Sequence, residues 1–201
     1  MRTKLAVIAA SIALSVSVPA LATQYILEYS DTFGAGNYGT IDVTGTSTDL
    51  YFDVELNSPF KIVDTGGHFA FAANLTGTVT GLTPYKSGQF TYSTGTLSNP
   101  PFGNFDVGLN CITCGNGSSS PWGSSMQFHL TGTGLGVQAA TGQYNDHNVY
   151  FAVDAYNGVN TGTIGAGLGA VPEPATWGLM IMGFGGIGAM LRRRRQAVAV
   201  A

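Results

Sequence analysis

The segment Asp49-Leu50-Tyr51-Phe52-Asp53-Val54-Glu55-Leu56 alternates polar and apolar side chains without a break. A repeat of two belongs to a β-strand, whose successive side chains point to opposite faces; a helix needs apolar residues three and four apart. Leu50, Phe52, Val54 and Leu56 therefore share a face that has to be buried, while Asp49, Tyr51, Asp53 and Glu55 share one that meets water. The turn residues Asn57-Ser58-Pro59 end the strand. One strand cannot satisfy its own backbone or cover its own apolar face, so the chain must supply several more.

It does so on both sides of this segment. Gln24 to Tyr29 and Tyr38 to Thr44 precede it. His68 to Thr80 carries Phe69, Phe71, Ala73 and Leu75 on one side, with Gly77 marking a bulge. Gln89 to Thr94, Phe102 to Leu109, Ser125 to Thr131, Asn148 to Tyr156 and a short Thr161 to Ile164 follow, separated by Gly, Pro, Asn and Ser. In Asn148 to Tyr156 the pattern sets Val149, Phe151, Val153 and Ala155 against Tyr150, Ala152 and Asp154. No helical period with caps runs ten residues anywhere between the two ends. Short strands with turns at this spacing predict an all-β, antiparallel β-sandwich over residues 23–165, jelly-roll-like, with a parallel β-solenoid as the alternative. Five Thr-Gly-Thr triplets begin 32, 18, 37 and 30 residues apart, which is no solenoid period. They read as strand ends closed by glycine turns.

Both ends differ from this middle. Arg2 and Lys4 precede an apolar run from Leu5 to Val18 and the small-residue exit Ala20-Leu21-Ala22, the layout of a signal peptide over residues 1–22. Gly165 to Val171 is made of small residues and reads as a tether, with the linker proper at 166–171. Next come Pro172-Glu173-Pro174, Trp177, an uncharged segment from Ala175 to Leu191, and Arg192 to Arg195, with a tail at 196–201. The two prolines keep Glu173 out of the helical region. The uncharged 17 residues reach about 26 Å as a helix, enough to span a bilayer with Trp177 at one interface and the arginines at the other. The arginines place the C-terminal side in the cytoplasm.

Pro172, Glu173, Pro174, Trp177, the Gly183-Phe184-Gly185 turn and the Arg192, Arg193, Arg194 and Arg195 run together resemble the PEP-CTERM sorting signal, in its Pro-Glu-Pro-x-x-Trp-Ala form. Gly178 stands where that form has Ala. The resemblance covers residues 172–195 and implies an exosortase as partner. It further implies transient membrane anchoring, cleavage near Pro-Glu-Pro and delivery to the cell surface or extracellular matrix.

Between the ends the only basic residues are Lys61 and Lys86, against ten acidic ones, a net charge of −8. Such a surface is unsuited to nucleic acid or to anionic lipid. Gly34-Ala35-Gly36-Asn37-Tyr38-Gly39 has the G-x-G-x-x-G spacing, but strand-forming residues follow it, and a phosphate site needs a helix N-terminus there. Cys111 and Cys114, the only cysteines, lack the two further ligands of a zinc site; in an oxidising compartment they form a small disulfide. Asp49, Asp53 and Glu55 are weak candidates for a cation or for a glycosidase pair, set against the plainer reading of a wet strand face. His68, His129 and His147 have no nucleophile elbow to serve, so no catalytic constellation and no cofactor is expected. The expectation is an exported, exosortase-sorted surface or matrix protein with a structural or adhesive role. The alternative is a carbohydrate-binding module or polysaccharide-acting enzyme at the surface.

Overall fold

A computed structural model describes residues 21–84, 89–114, 119–141 and 147–168. Among these residues eleven strands follow one another: β1 (Leu21–Ser30), β2 (Gly34–Thr46), β3 (Asp49–Leu56), β4 (Lys61–Ile62), β5 (Phe71–Ala73), β6 (Leu75–Pro84), β7 (Phe90–Ser98), β8 (Asn104–Cys111), β9 (Ser125–Val137), β10 (Phe151–Tyr156) and β11 (Thr161–Leu168). Every pairing between them is antiparallel. They form a single hydrogen-bonded sheet in the order β6-β9-β3-β2-β1-β11-β10-β5-β8-β7, with β4 beside β10. The all-β, antiparallel class is the one the alternation predicts.

The sheet curls because its apolar face has nothing else to bury against. Strand β3 presents Leu50, Phe52, Val54 and Leu56 inward, as its alternation requires, and all four are buried. Phe52 pairs with Val43 on β2 and Phe128 on β9. It also meets Phe71 and Phe151 edge-on, with ring centroids 5.7 and 5.9 Å away, although β5 and β10 lie several strands along the sheet. Such aromatic pairs add about 0.5–1.5 kcal/mol each beyond the area they bury. The two end strands of the path, β6 and β7, flank a cavity of about 280 Å³ lined in part by Leu75, Val79, Thr94 and Asp106.

A second apolar layer covers the other face of β5 and β10. Ala72 and Ala152, opposite each other in the register, pack with Phe102, Phe105, Ala140 and Val149, and Phe69 leans against them. Phe69 lies so close over β8 that a Cβ on Gly108 would stand 2.4 Å from its ring. Phe69 is thus outside the strand expected from 68 to 80. That segment is two strands, broken at Asn74. The wholly buried Asn74 donates from its side chain to the Ala139 carbonyl and from its backbone to Tyr150, handing the chain from the β10–β5–β8 side to the β9 side. The bulge expected at Gly77 is present, as a register shift between Thr76 and Thr78.

The β domain differs from expectation at both of its ends. Strand β11 continues to Leu168, so Gly165 to Leu168 are paired with β1 rather than being tether. Small side chains there serve close packing, and Ala166 is wholly buried. Leu21 and Ala22 already pair with Gly45 and Thr44. The leader through residue 20, the remainder of the linker, the segment 175–191 and the tail lie outside the described residues.

Candidate functional site

The acidic stripe falls on the outer face of β3, where cross-strand neighbours complete it. The register sets Gln24, Asp42, Asp53 and Gln127 in one row across β1, β2, β3 and β9. Gln24 Nε2 donates to Asp42 Oδ1 and Gln127 Nε2 donates to Asp53 Oδ2, each at 2.9 Å. The two carboxylates stand side by side with an amide at each flank. The next row brings Tyr51 beside His129, ring centroids 4.9 Å apart, and His129 Nδ1 lies 2.8 Å from Asp49 Oδ1. Their side chains are 45% and 52% exposed, so this pair is worth at most about 1 kcal/mol even when the imidazole is charged. Glu55 is exposed at the end of the stripe, opposite Thr40 and Ser125. Among the described residues no group of three or more His, Cys, Asp or Glu side chains is placed to hold a metal ion.

Cys111 and Cys114 are joined, sulfur to sulfur, at the end of β8. The Cys111 backbone N–H donates to Asp64 Oδ2 at 2.7 Å. Burial pushes the Asp64 carboxyl up from its ordinary value, and that N–H pulls it part of the way back. Trp122 stacks edge-on against Phe90 at 5.0 Å and donates its indole N–H to the Ser125 carbonyl. The glycine-spaced motif at Gly34 to Gly39 is part of β2, with no helix after it. His147 stacks on Tyr29, rings 4.5 Å apart and 12° from parallel.

A different cluster went unread in the sequence. Asp154, grouped by alternation with Tyr150 and Ala152 away from the core residues, is wholly buried. Strand β10 is flanked by β11 on one side and by β4 and β5 on the other, and both of its faces are covered. Asp154 Oδ2 accepts from the Thr65 backbone N–H and hydroxyl. Burial raises the Asp154 carboxyl above its ordinary range, against the opposing pull of Thr65 and the nearby His68. Thr163 is the cross-strand partner of Asp154, and its hydroxyl lies 3.2 Å from His68 Nδ1. The same Nδ1 lies 3.1 Å from Oδ1 of the wholly buried Asn99. Thr65, His68 and Thr163 open onto a cleft of about 310 Å³ with Asp31, Thr32, Pro100 and Pro101 at its walls. The one available sequence signal was a carboxylate inside an otherwise apolar run, Phe151 to Ala155.

No curated protein and no solved structure matches the chain. The sorting residues Pro172, Glu173, Pro174, Trp177 and Arg192 to Arg195 lie outside the described residues, and there the comparison is with sequence alone. Residues 170–195 match the family model of the PEP-CTERM protein-sorting motif, so the chain carries the signal by which an exosortase recognises an exported protein.

Proposed function

We propose that the chain is a non-catalytic surface or matrix protein, whose β domain has a structural or adhesive role after exosortase sorting. The observation that carries this reading is the pairing of β1 with β11. Tyr25 stands opposite Leu168 in an antiparallel ladder, so the chain ahead of β1 and the chain beyond β11 leave the sheet at the same end. A leader and an anchor that address one membrane are suited by that arrangement. Strand β11 is also an interior strand, bonded to β1 and β10, so tension on the anchor would be borne by two ladders. The segment 175–191 spans the inner membrane with its arginines in the cytoplasm until processing, after which the domain is released to the surface or matrix.

The second reading, a carbohydrate-binding module or polysaccharide-acting enzyme, is favoured by the Asp42–Asp53 pair with Tyr51 close by. Against catalysis, this pair sits on the outside of a curled sheet, and one oxygen of each carboxylate is engaged, Asp42 Oδ1 by Gln24 and Asp53 Oδ2 by Gln127.

The test is to delete the host's exosortase and follow this protein. In competent cells, mass spectrometry of the surface form should find a chain ending near Pro172-Glu173-Pro174; without the enzyme, the unprocessed chain should stay with the membrane. A surface form that keeps Arg192 to Arg195 in competent cells rejects the proposal.

A further inference from the structure

We propose that the cleft over His68 and Thr163 binds one neutral, polyhydroxylated unit with the size and chemistry of a sugar residue. The cleft is built from four separate stretches: the turn after β1, the loop between β4 and β5, the Pro100-Pro101 turn and the start of β11. Its volume of about 310 Å³ stands at the lower end of small-molecule sites, which begin at about 300 Å³. It has room for one small ligand.

Charge narrows the class. Among the described residues no Lys or Arg lines the cleft, while Asp31 stands at its wall and Asp64 and Asp154 are close by, so an anion is disfavoured. A divalent cation needs several carboxylate or imidazole ligands on one point, and no three are so placed among the described residues. A neutral ligand remains.

Hydrogen bonding narrows it further. Asn99 Oδ1 can only accept, so His68 Nδ1 donates to it. Thr65 commits its hydroxyl proton to Asp154 and keeps its lone pairs. Asp154 and Asn99 hold Thr65 and His68 in place from behind and do not themselves line the cleft. A ligand hydroxyl suits a wall of hydroxyl, imidazole and carboxylate groups, since it donates one hydrogen bond and accepts another. A ring of hydroxyls would meet Thr32, Thr65, Thr163 and Asp31, with its C–H face against Pro100 and Pro101. This site is separate from the acidic row on β3 and does not depend on sorting.

Saturation-transfer NMR on the purified full-length chain, with glucose, galactose, mannose and N-acetylglucosamine as probes, tests the proposal. At least one sugar should show transfer, and His68→Gln and Thr163→Val should each weaken it about five- to tenfold, the effect of one lost hydrogen bond. Should the buried Thr163→Val fail to fold, Asp31→Asn, exposed at the wall, carries the same expectation. Transfer from none of the four sugars overturns the proposal, as does unchanged binding in the cleft variants. Loss of transfer in Asp53→Asn instead would move the site to the outer face of β3 and overturn it as well. Exosortase deletion leaves all these outcomes unchanged, so failure here is distinct from failure of the sorting proposal.

Discussion

Phe52 and Phe128 lie ring over ring across β3 and β9, with centroids 4.9 Å apart and planes 9° from parallel. Both are wholly enclosed or nearly so, and both also meet Phe71 edge-on. This pair closes the curl of the sheet, because it joins the β3–β9 side to the β5–β10 side through one set of contacts.

Truncating Phe52 to Ala should cost about 3–5 kcal/mol, the transfer term plus the cavity. That is a large part of the ~5–15 kcal/mol net stability of a domain, so the melting temperature should fall sharply. Asp53→Asn keeps an acceptor for Gln127 and removes a carboxylate facing Asp42 directly across the strands. It should be neutral, or stabilising by no more than about 1 kcal/mol. Thermal melts of both variants, with and without Ca²⁺, check this; a more damaging Asp53→Asn would mean that a cation or another partner uses the stripe.

Gly77 sits at φ +77°, and a Cβ there would stand 2.2 Å from the Thr133 carbonyl oxygen. Gly77→Ala should cost about 1–3 kcal/mol, from positive φ and backbone collision together. Gly134, at φ +66°, meets nothing closer than 3.8 Å. Gly134→Ala should cost about 1 kcal/mol, from φ alone. Denaturant midpoints rank the two, and equal losses would remove the bulge collision from the account.

Burial raises the Asp154 carboxyl above its unfolded value, so the folded protein holds that proton more tightly than the unfolded chain. Stability from this group is therefore absent at neutral pH, appears as pH falls through the raised folded value, and is complete below the unfolded value near 3.8. Asp64, raised chiefly by burial, acts with the same sign. Wild type should thus gain on Asp154→Asn as pH is lowered through this window. Melting temperatures of both proteins across the acid range decide it, and a wild type that loses ground to the variant refutes the assignment.

The Cys111–Cys114 bond closes a loop so short that the chain-entropy model assigns it only about 2 kcal/mol. Replacing both cysteines with Ser should lower stability by no more than that, and thiol labelling of the exported protein without reductant should modify neither residue. Two reactive thiols, or bound zinc in a stoichiometric amount, would contradict it.

Local pattern was enough for much of this. Period-two alternation identified β3 to the residue, with Leu50, Phe52, Val54 and Leu56 inward, because burial of one face leaves a strand no other register. The antiparallel β class and the bulge at Gly77 were legible for the same local reasons. The sorting motif is read directly from sequence, since what recognises it is its residues in order.

Pairing over long distance was not legible. Nothing in Asp49 or Gln127 says that β9 will lie beside β3, yet that choice sets His129 on Asp49 and Gln127 on Asp53. Asp154 shows the limit best. Alternation says which residues share a face; it does not say whether anything covers that face. Phe69, Phe102 and Phe105, remote in sequence, supply the cover over β5 and β10, and neighbouring strands close both edges of β10. A carboxylate assigned to the wet side is thereby sealed beside Thr65, His68 and Thr163, because solvent exposure is a property of the assembled layers and not of the strand.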